Sequence, residues 1–514
     1  MFQKIRELSK DLAIYGTGDV AIQIVNFLLL RVYVEFLSPA DYGILALLGS
    51  VEAITKLFFR WGVDGSFMRF WYDCPDDRAR QRLSSTLFIF LLVTNGILLI
   101  AAVAASPLIA RWLGAPTYTL ALQLVLLNTF AIGFTFIPFH VLRLQQKARE
   151  FSILAFARSV STLVLRLALV VGLGYGVMGV VVADLVVTVV LLAVMVRWFA
   201  PLIRPVFSST ALRESLAFGL PRVPHGFAQQ VIAVGDKFVL SVFVPLSEIG
   251  MYSMGVSVGL ILKVFLAAFE YAWAPFYYAT VREPGAERVF SAITTYGIAV
   301  LALMTAGLSA IARDLLEVIT GGHFTAAYGV VAWTALGVFL QGVYLMTSIG
   351  LNITRNTTYY PVATAMAAAV NIGLNFALIP KVGIMGAAYA NGAAYATQAA
   401  LAYAFSQHFY PIRYEWGRIL RVIVSAAIAY AIASVIPEIS PVAGILVRGT
   451  TVVVVMAAGL WLGGFLKPEE LHVVGRLWRS RATPRVPAPR PADTTELAGE
   501  IVAVDVAEPP EPAR

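Results

Sequence analysis

The sequence is a succession of apolar runs about twenty residues long, the length a helix needs to cross the hydrocarbon core of a bilayer. We read fourteen, near 13–37, 43–60, 84–105, 118–141, 153–173, 177–197, 215–243, 249–272, 289–311, 327–350, 359–379, 384–405, 418–436 and 441–464. Within lipid each must be a helix, because a helix satisfies its backbone N–H and C=O groups internally. Composition agrees. The chain is 59% hydrophobic and 13% charged, against about 25% charged in soluble domains, so too little polar surface exists to coat a water-soluble globule. The expectation is an all-α polytopic membrane protein.

The net charge of +8 does not indicate nucleic acid, because the bases are spread through short loops. Alternate loops and both termini hold roughly 26 Lys and Arg in or beside them, whereas the intervening loops hold Arg111, Arg313 and Lys381. Loops rich in Lys and Arg stay cytoplasmic. This predicts a multi-pass protein of the bacterial cytoplasmic (inner) membrane with both termini cytoplasmic. The N-terminal MFQKIRELSKD shows no cleavage pattern, so no removable signal peptide is expected. The one cysteine, Cys74, excludes an intrachain disulfide. From Arg481 onward the sequence is Pro-rich and too poor in large apolar residues to build a core.

The chain also repeats itself at an offset of 207 residues. LSPADYGILAL (37–47) aligns with VPLSEIGMYSM (244–254), SVEAITKLF (50–58) with SVGLILKVF (257–265), and YGVMGVVVAD (175–184) with VGIMGAAYAN (382–391). The offset covers six spans, an even number, so both copies have one orientation. Parallel repeats of this kind pack about an axis along the membrane normal. The expected organisation is two pseudo-symmetric six-helix bundles, 1–200 and 201–410, around a central cleft. Two additional spans (411–466) and a mostly disordered cytoplasmic tail (467–514) follow. That is a transporter architecture. No GxxxxGK[ST] loop, HExxH, paired-Cys site or GxSxG elbow occurs. The reading is therefore of a non-enzyme with no cofactor and no metal site.

FLSPADYGILAL, GVDGSFMRF (62–70) and GDKFVLSVFVPLSEIGMYSMG (235–255) together resemble the ordered motifs of polysaccharide and oligosaccharide-lipid flippases. These belong to the multidrug/oligosaccharidyl-lipid/polysaccharide exporter superfamily. The resemblance covers spans 1–12, and fourteen spans suit its lipid-linked-substrate branches. It implies a substrate: a sugar chain on a polyprenyl diphosphate, turned from the cytoplasmic to the outer leaflet.

Ionisable residues within spans cost about 2.5–3.5 kcal/mol each to insert, which makes them functional candidates. In span 7, Arg222, His225, Gln229 and Asp236 fall on one helical face. In span 1, Asp19, Gln23 and Asn26 share a face. Lys56 and Lys263 are repeat mates. Facing one cleft they would suit a diphosphate; at the ends of their helices they would simply snorkel to the headgroups. Arg158, Arg166 and Asp184 read as structural ion pairs. Lys237 and Asp236, being adjacent, are not expected to share a face.

With no nucleotide site, the driving force is an ion gradient or the membrane potential, and Asp19, Asp236 and His225 are the candidates for coupling. The expected partners are the lipid-linked oligosaccharide, the bilayer, and glycosyltransferases or a polymerase of the same pathway. Two rival readings stay open: a cation-coupled drug exporter of the same superfamily, which would want an acidic aromatic cleft, and a membrane-embedded glycosyltransferase or polymerase, which would need a large outer loop.

Overall fold

A computed structural model of the protein describes residues 34–467, and all regular structure there is helical. The first half comprises α1 (Pro39–Arg60), α2 (Val63–Asp73), α3 (Asp77–Trp112), α4 (Thr119–Gly133), α5 (Phe136–Leu144), α6 (Ala148–Leu167) and α7 (Gly176–Phe199). The second comprises α8 (Ser209–Gly219), α9 (Val223–Phe243), α10 (Leu246–Gly259), α11 (Lys263–Thr280), α12 (Ala286–Thr320), α13 (Tyr328–Thr347), α14 (Ile349–Ile353), α15 (Tyr359–Val382) and α16 (Ile384–Phe409). The additional pair is α17 (Trp416–Ser434) and α18 (Pro441–Leu462).

Among the described residues, 11 helical segments are long and apolar enough to cross a membrane. They account for every expected span from the second onward except the seventh and twelfth. Those two are the helices α9 and α16, of 21 and 26 residues. They fall short in hydropathy for a physical reason. α9 carries the polar series from His225 to Asp236, and α16 is built on Gly and Ala, with Gly386, Ala387, Ala390, Ala394 and Ala402 buried. Small residues let helix backbones approach closely in a membrane, and α16 lies against both α13 and α15. The first expected span lies almost wholly outside the described residues, and Asp19, Gln23 and Asn26 lie outside them.

The motif FLSPADYG now has a structural cause. Ser38 caps α1: its Oγ accepts from the Asp41 N–H at 3.1 Å, and the Asp41 carboxylate accepts from the Ser38 N–H at 3.0 Å. This reciprocal box satisfies two of the orphan donors at a helix start, and Pro39 at the first turn has no N–H to satisfy. At its other end α1 stops because Trp61 and Gly62 both adopt left-handed backbone, φ 49° and 69°. Asn95 of α3 holds this corner, donating to the Phe59 carbonyl at 2.7 Å and accepting from the Trp61 indole at 3.0 Å.

Repeat mates at the 207-residue offset meet in a symmetric contact. α1 and its repeat mate α10 cross directly. A Cβ on Gly43 would sit 1.9 Å from the Leu246 carbonyl oxygen, and a Cβ on Gly250 would sit 1.9 Å from the Pro39 carbonyl oxygen. Gly43 pairs with Gly250 and Pro39 with Leu246 in the repeat, so the two close approaches are one contact seen from both sides of an axis. The halves meet again at the far end of α1. There a Cβ on Gly62 would lie 2.4 Å from the Gly219 oxygen, and one on Gly219 would lie 2.6 Å from the Gly62 oxygen. Nineteen residues separate Gly43 from Gly62, about 28 Å of helix, which matches the hydrocarbon thickness.

The additional pair packs on α12. Arg448 of α18 and Asp314 of α12, 7% and 4% exposed, form a buried ion pair. The guanidinium also donates to the carbonyls of Ile436 and Pro437 at 3.1 and 3.2 Å. Gly444 makes room for it: a Cβ there would lie 2.4 Å from the Asp314 carboxylate.

Candidate functional site

The α1 end that carries Arg60 lies among a group of basic side chains. Lys56 and Arg60 lie one turn apart on α1. Together with α5 and α6 they line a cavity of about 440 Å³ inside the first half. His140 and Arg143 enter it from α5, Arg158 from α6, with Phe136, Phe139 and Phe151 between them. Local sequence explains the placement. α4 breaks at Phe134–Thr135 and restarts as the short α5, which carries His140 and Arg143 one turn apart. The α5–α6 turn is closed by Gln146 in left-handed backbone, φ 56°. Arg143 lies over the Phe151 ring at 4.6 Å. The His140 Nδ1 is buried without a hydrogen-bond partner.

Some of this charge is matched and some is not. Arg60 donates to Asp64 at 2.9 Å. Arg166 makes a two-pronged bond to Asp184, 2.7 and 2.5 Å, so that expected structural pair exists. Arg158 does not join it. It faces the cavity, with Asp184 and Glu52 acting on it only through space. Glu52, one turn before Lys56, makes no ion pair with it within 4.0 Å among the described residues.

The remaining candidates separate. Arg222 is exposed where α8 passes into α9. Its guanidinium covers the Phe218 ring at 4.4 Å, and Arg69 of α2 lies 5.4 Å from the same ring. Gly65 leaves it room, since a Cβ there would be 3.0 Å from Arg222 Nη1. His225 is half-buried with Nδ1 unpartnered. It lies at the α1–α9 seam, where a Gly226 Cβ would be 3.0 Å from Leu57 and Phe227 packs on Phe58 at 5.9 Å. Gln229 is half-buried one turn further on. Asp236, 1% exposed, sits in the core of the second half. It accepts from the Tyr252 hydroxyl, from the Lys237 N–H at 2.8 Å, and has the Lys237 Nζ at 3.8 Å.

Arg222 lies in the 3-10 turn that precedes α9, fourteen residues or about 21 Å of helix from Asp236. One expectation is corrected. Lys237 does reach Asp236 despite adjacency, because a long flexible stem can curl back toward a buried carboxylate. Lys56 and Lys263 occupy related positions in unlike surroundings. Arg60, Glu52, Arg158 and Asp64 act on Lys56, whereas no charged group among the described residues acts on Lys263, which opens α11 half-buried after a 3-10 turn. A second, apolar cavity of about 380 Å³ lies between α12, α13 and α17, lined by Ala306, Leu336 and Ile423 among others.

His140, Arg143 and Arg60 were not among the candidates from sequence. The signal that would have found them is the repeat, which places uncharged residues at their counterparts in the second half.

Residues 32–329, more than half of the 514-residue chain, match the protein family described as "Polysaccharide biosynthesis protein". No curated protein matches the chain in sequence. Among solved structures, one described as "Lipid II flippase MurJ, inward closed conformation" is similar over 92% of this chain and 100% of that one, with TM-score 0.70 and 14% identity. Another, described as the "Inward-facing conformation of a multidrug resistance MATE family transporter of the MOP superfamily", is similar over 79% of this chain and 98% of that one, with TM-score 0.64 and 15% identity. At such identities the likeness is one of fold. The chain belongs to the polysaccharide biosynthesis protein family and has the fold of the MOP-superfamily flippases and exporters.

Proposed function

We propose that this protein is a flippase that moves a polyprenyl-diphosphate-linked oligosaccharide from the cytoplasmic to the outer leaflet by alternating access. It would serve surface polysaccharide biosynthesis in the bacterial cytoplasmic membrane, with both termini cytoplasmic. The observation that carries this reading is unmatched positive charge within a two-fold membrane bundle. Lys56 and Lys263 lie at repeat-related positions, neither in an ion pair with a described residue. Holding such charge in a membrane is costly, and an anionic head group would offset that cost. A cation-exporting rival would need carboxylates, and the cavity that includes Lys56 is lined by five basic residues and no acid. Family and fold both speak for transport rather than for a glycosyltransferase or polymerase.

The halves would rock about the axis that passes between Gly43 and Gly250. For coupling to a proton, His225 is the better placed described candidate, because its Nδ1 is unpartnered, whereas the Asp236 carboxylate already has Lys237 and Tyr252 as partners. The substrate's glycosyltransferases or polymerase are the partners this function calls for.

The test is complementation of a surface-polysaccharide export defect with protein levels checked by blot. Lys56→Gln, Lys263→Gln and Arg222→Gln each cripple export while the protein still inserts, and Lys56→Arg retains more activity than Lys56→Gln. Wild-type export from both Lys→Gln variants would refute the reading.

A further inference from the structure

The two halves are built alike but lined unlike. At the 207-residue offset Lys56 pairs with Lys263 and Arg60 with Ala267. Further along, the 3-10 turns Pro116–Tyr118 and Thr325–Ala327 and the left-handed residues Gln146 and Arg355 set the local offset at 209. In that register His140, Arg143 and Arg158 of the first-half cavity pair with Ile349, Asn352 and Ala367. Its Ile132, Thr135 and Phe151 pair with Gln341, Tyr344 and Tyr360. At these positions the second half keeps one base, Lys263, and carries amides and phenols instead.

These groups meet across four helices. Asn352 of α14 donates to the Tyr277 hydroxyl of α11 at 3.2 Å, and the Tyr360 hydroxyl of α15 donates to the Ser348 carbonyl at 2.9 Å. The rings of Tyr344 and Tyr360 stand 6.1 Å apart, and Trp273 lies 5.9 Å from Tyr277. Gln341 sits one turn before Tyr344 on α13, and Glu270 acts on Tyr344 through space. Gln341, Tyr344, Asn352 and Tyr360 are only half-buried, so the cluster is not sealed.

Polar side chains on membrane helices commonly pair with one another. Here the pairing is incomplete. The Gln341 Oε1, an acceptor, and the Trp273 Nε1, a donor, are buried without hydrogen-bond partners, and a buried group left unpaired is costly. A hydroxyl both donates and accepts, so a polyhydroxylated ligand suits groups of both kinds. A pyranose also offers a face of C–H groups to aromatic rings. An anion suits the cluster less well, because Glu270 stands beside Tyr344.

We infer that Trp273, Tyr277, Gln341, Tyr344, Asn352 and Tyr360 form a subsite for a neutral sugar ring of the transported molecule. The inference rests on the flippase reading and deepens it: recognition of the sugar falls to the second half, at the positions that repeat the basic cavity of the first.

The full-length protein in phosphatidylcholine nanodiscs is titrated with farnesyl diphosphate diesters of glucose, galactose, N-acetylglucosamine and glucuronic acid, and with the methyl diester, which has no sugar. At least one neutral sugar diester binds roughly tenfold or more tighter than the methyl diester, the gain of a few hydrogen bonds, and glucuronic acid gains less. Gln341→Leu, Asn352→Leu and Tyr360→Phe remove hydrogen-bonding groups at nearly constant size. Each weakens the favoured sugar diester roughly three- to tenfold and leaves the methyl diester within about twofold. Tyr344→Ala also weakens the sugar diester selectively, and Tyr344→Phe, which keeps the ring, recovers most of its binding.

The inference is overturned if no neutral sugar gains over the methyl diester, if glucuronic acid gains most, or if the three size-conserving variants weaken sugar and methyl diesters alike. The two readings fail separately. Binding of the methyl diester with no gain from any sugar defeats the subsite and leaves the flippase standing. Binding of no diester defeats both, and failure of the unmodified protein to restore polysaccharide export defeats the flippase reading itself.

Discussion

Replacing Gly43 by alanine asks how tightly the two halves are joined. The new methyl carbon would stand 1.9 Å from the Leu246 carbonyl oxygen, while ordinary contact begins near 3.4 Å. The crossing must open by about 1.5 Å, and the obstacle is backbone, which cannot turn aside as a side chain can. Overpacking a close interface costs about 1–3 kcal/mol. The higher helix propensity of alanine returns less than about 1 kcal/mol. A net loss of about 1–2 kcal/mol follows for Gly43→Ala, and the same for Gly250→Ala, whose methyl would meet the Pro39 oxygen. The double variant distinguishes this geometry from two independent clashes. Both methyls intrude on one crossing, so the separation forced by the first already relieves the second. The double should cost little more than either single, a coupling of about 1 kcal/mol or more. Gly49 provides the control on the same helix: a Cβ there meets nothing within 4 Å, so Gly49→Ala should be neutral or slightly stabilising. The assay is reversible unfolding in detergent, followed by tryptophan fluorescence and analysed as a double-mutant cycle. Strict additivity, or a Gly43→Ala variant as benign as Gly49→Ala, would refute the two-fold crossing.

Two further outcomes are expected. Asp314→Asn or Arg448→Gln alone should destabilise the protein by about 3–5 kcal/mol, because each strands a buried charge; the Asp314→Leu/Arg448→Met double should recover much of that in the same unfolding assay. A topology reporter fused after Gly464 should report the cytoplasm, as the loop-charge asymmetry requires, and an external signal there would overturn the orientation.

Much of the fold was legible because a bilayer leaves a chain few choices. Apolar length marked the helices, and α9 and α16 were found even though their own composition barely meets the membrane's demand. The repeat was legible for a similar reason: Gly43 and Gly250 are tied to one contact, so neither can change alone without cost. The candidate site was read less well. Face geometry grouped Arg222 with Asp236, since angular position around a helix says nothing about distance along it. Arg143 and His140 were not singled out, because the break in α4 at Phe134–Thr135, which turns them into a cavity wall, leaves no strong mark in hydropathy. Arg158, Arg166 and Asp184 were read together as structural ion pairs, and among them only Arg166 bonds to Asp184.

The tie between Arg448 and Asp314 also bears on how such a molecule can move. Separating α18 from α12 in lipid would leave two full charges facing hydrocarbon, each worth about 2.5–3.5 kcal/mol, so the additional pair would stay attached in the proposed cycle. It rides with the second half as cargo bolted to its outer wall. Among the described residues, the second half together with this pair is the broader body. Drag in a bilayer grows with the footprint a body sweeps through the lipid. Were the halves to rock as proposed, the broader body would stay nearer to still, and the first half, which holds the cationic cavity, would make the larger swing.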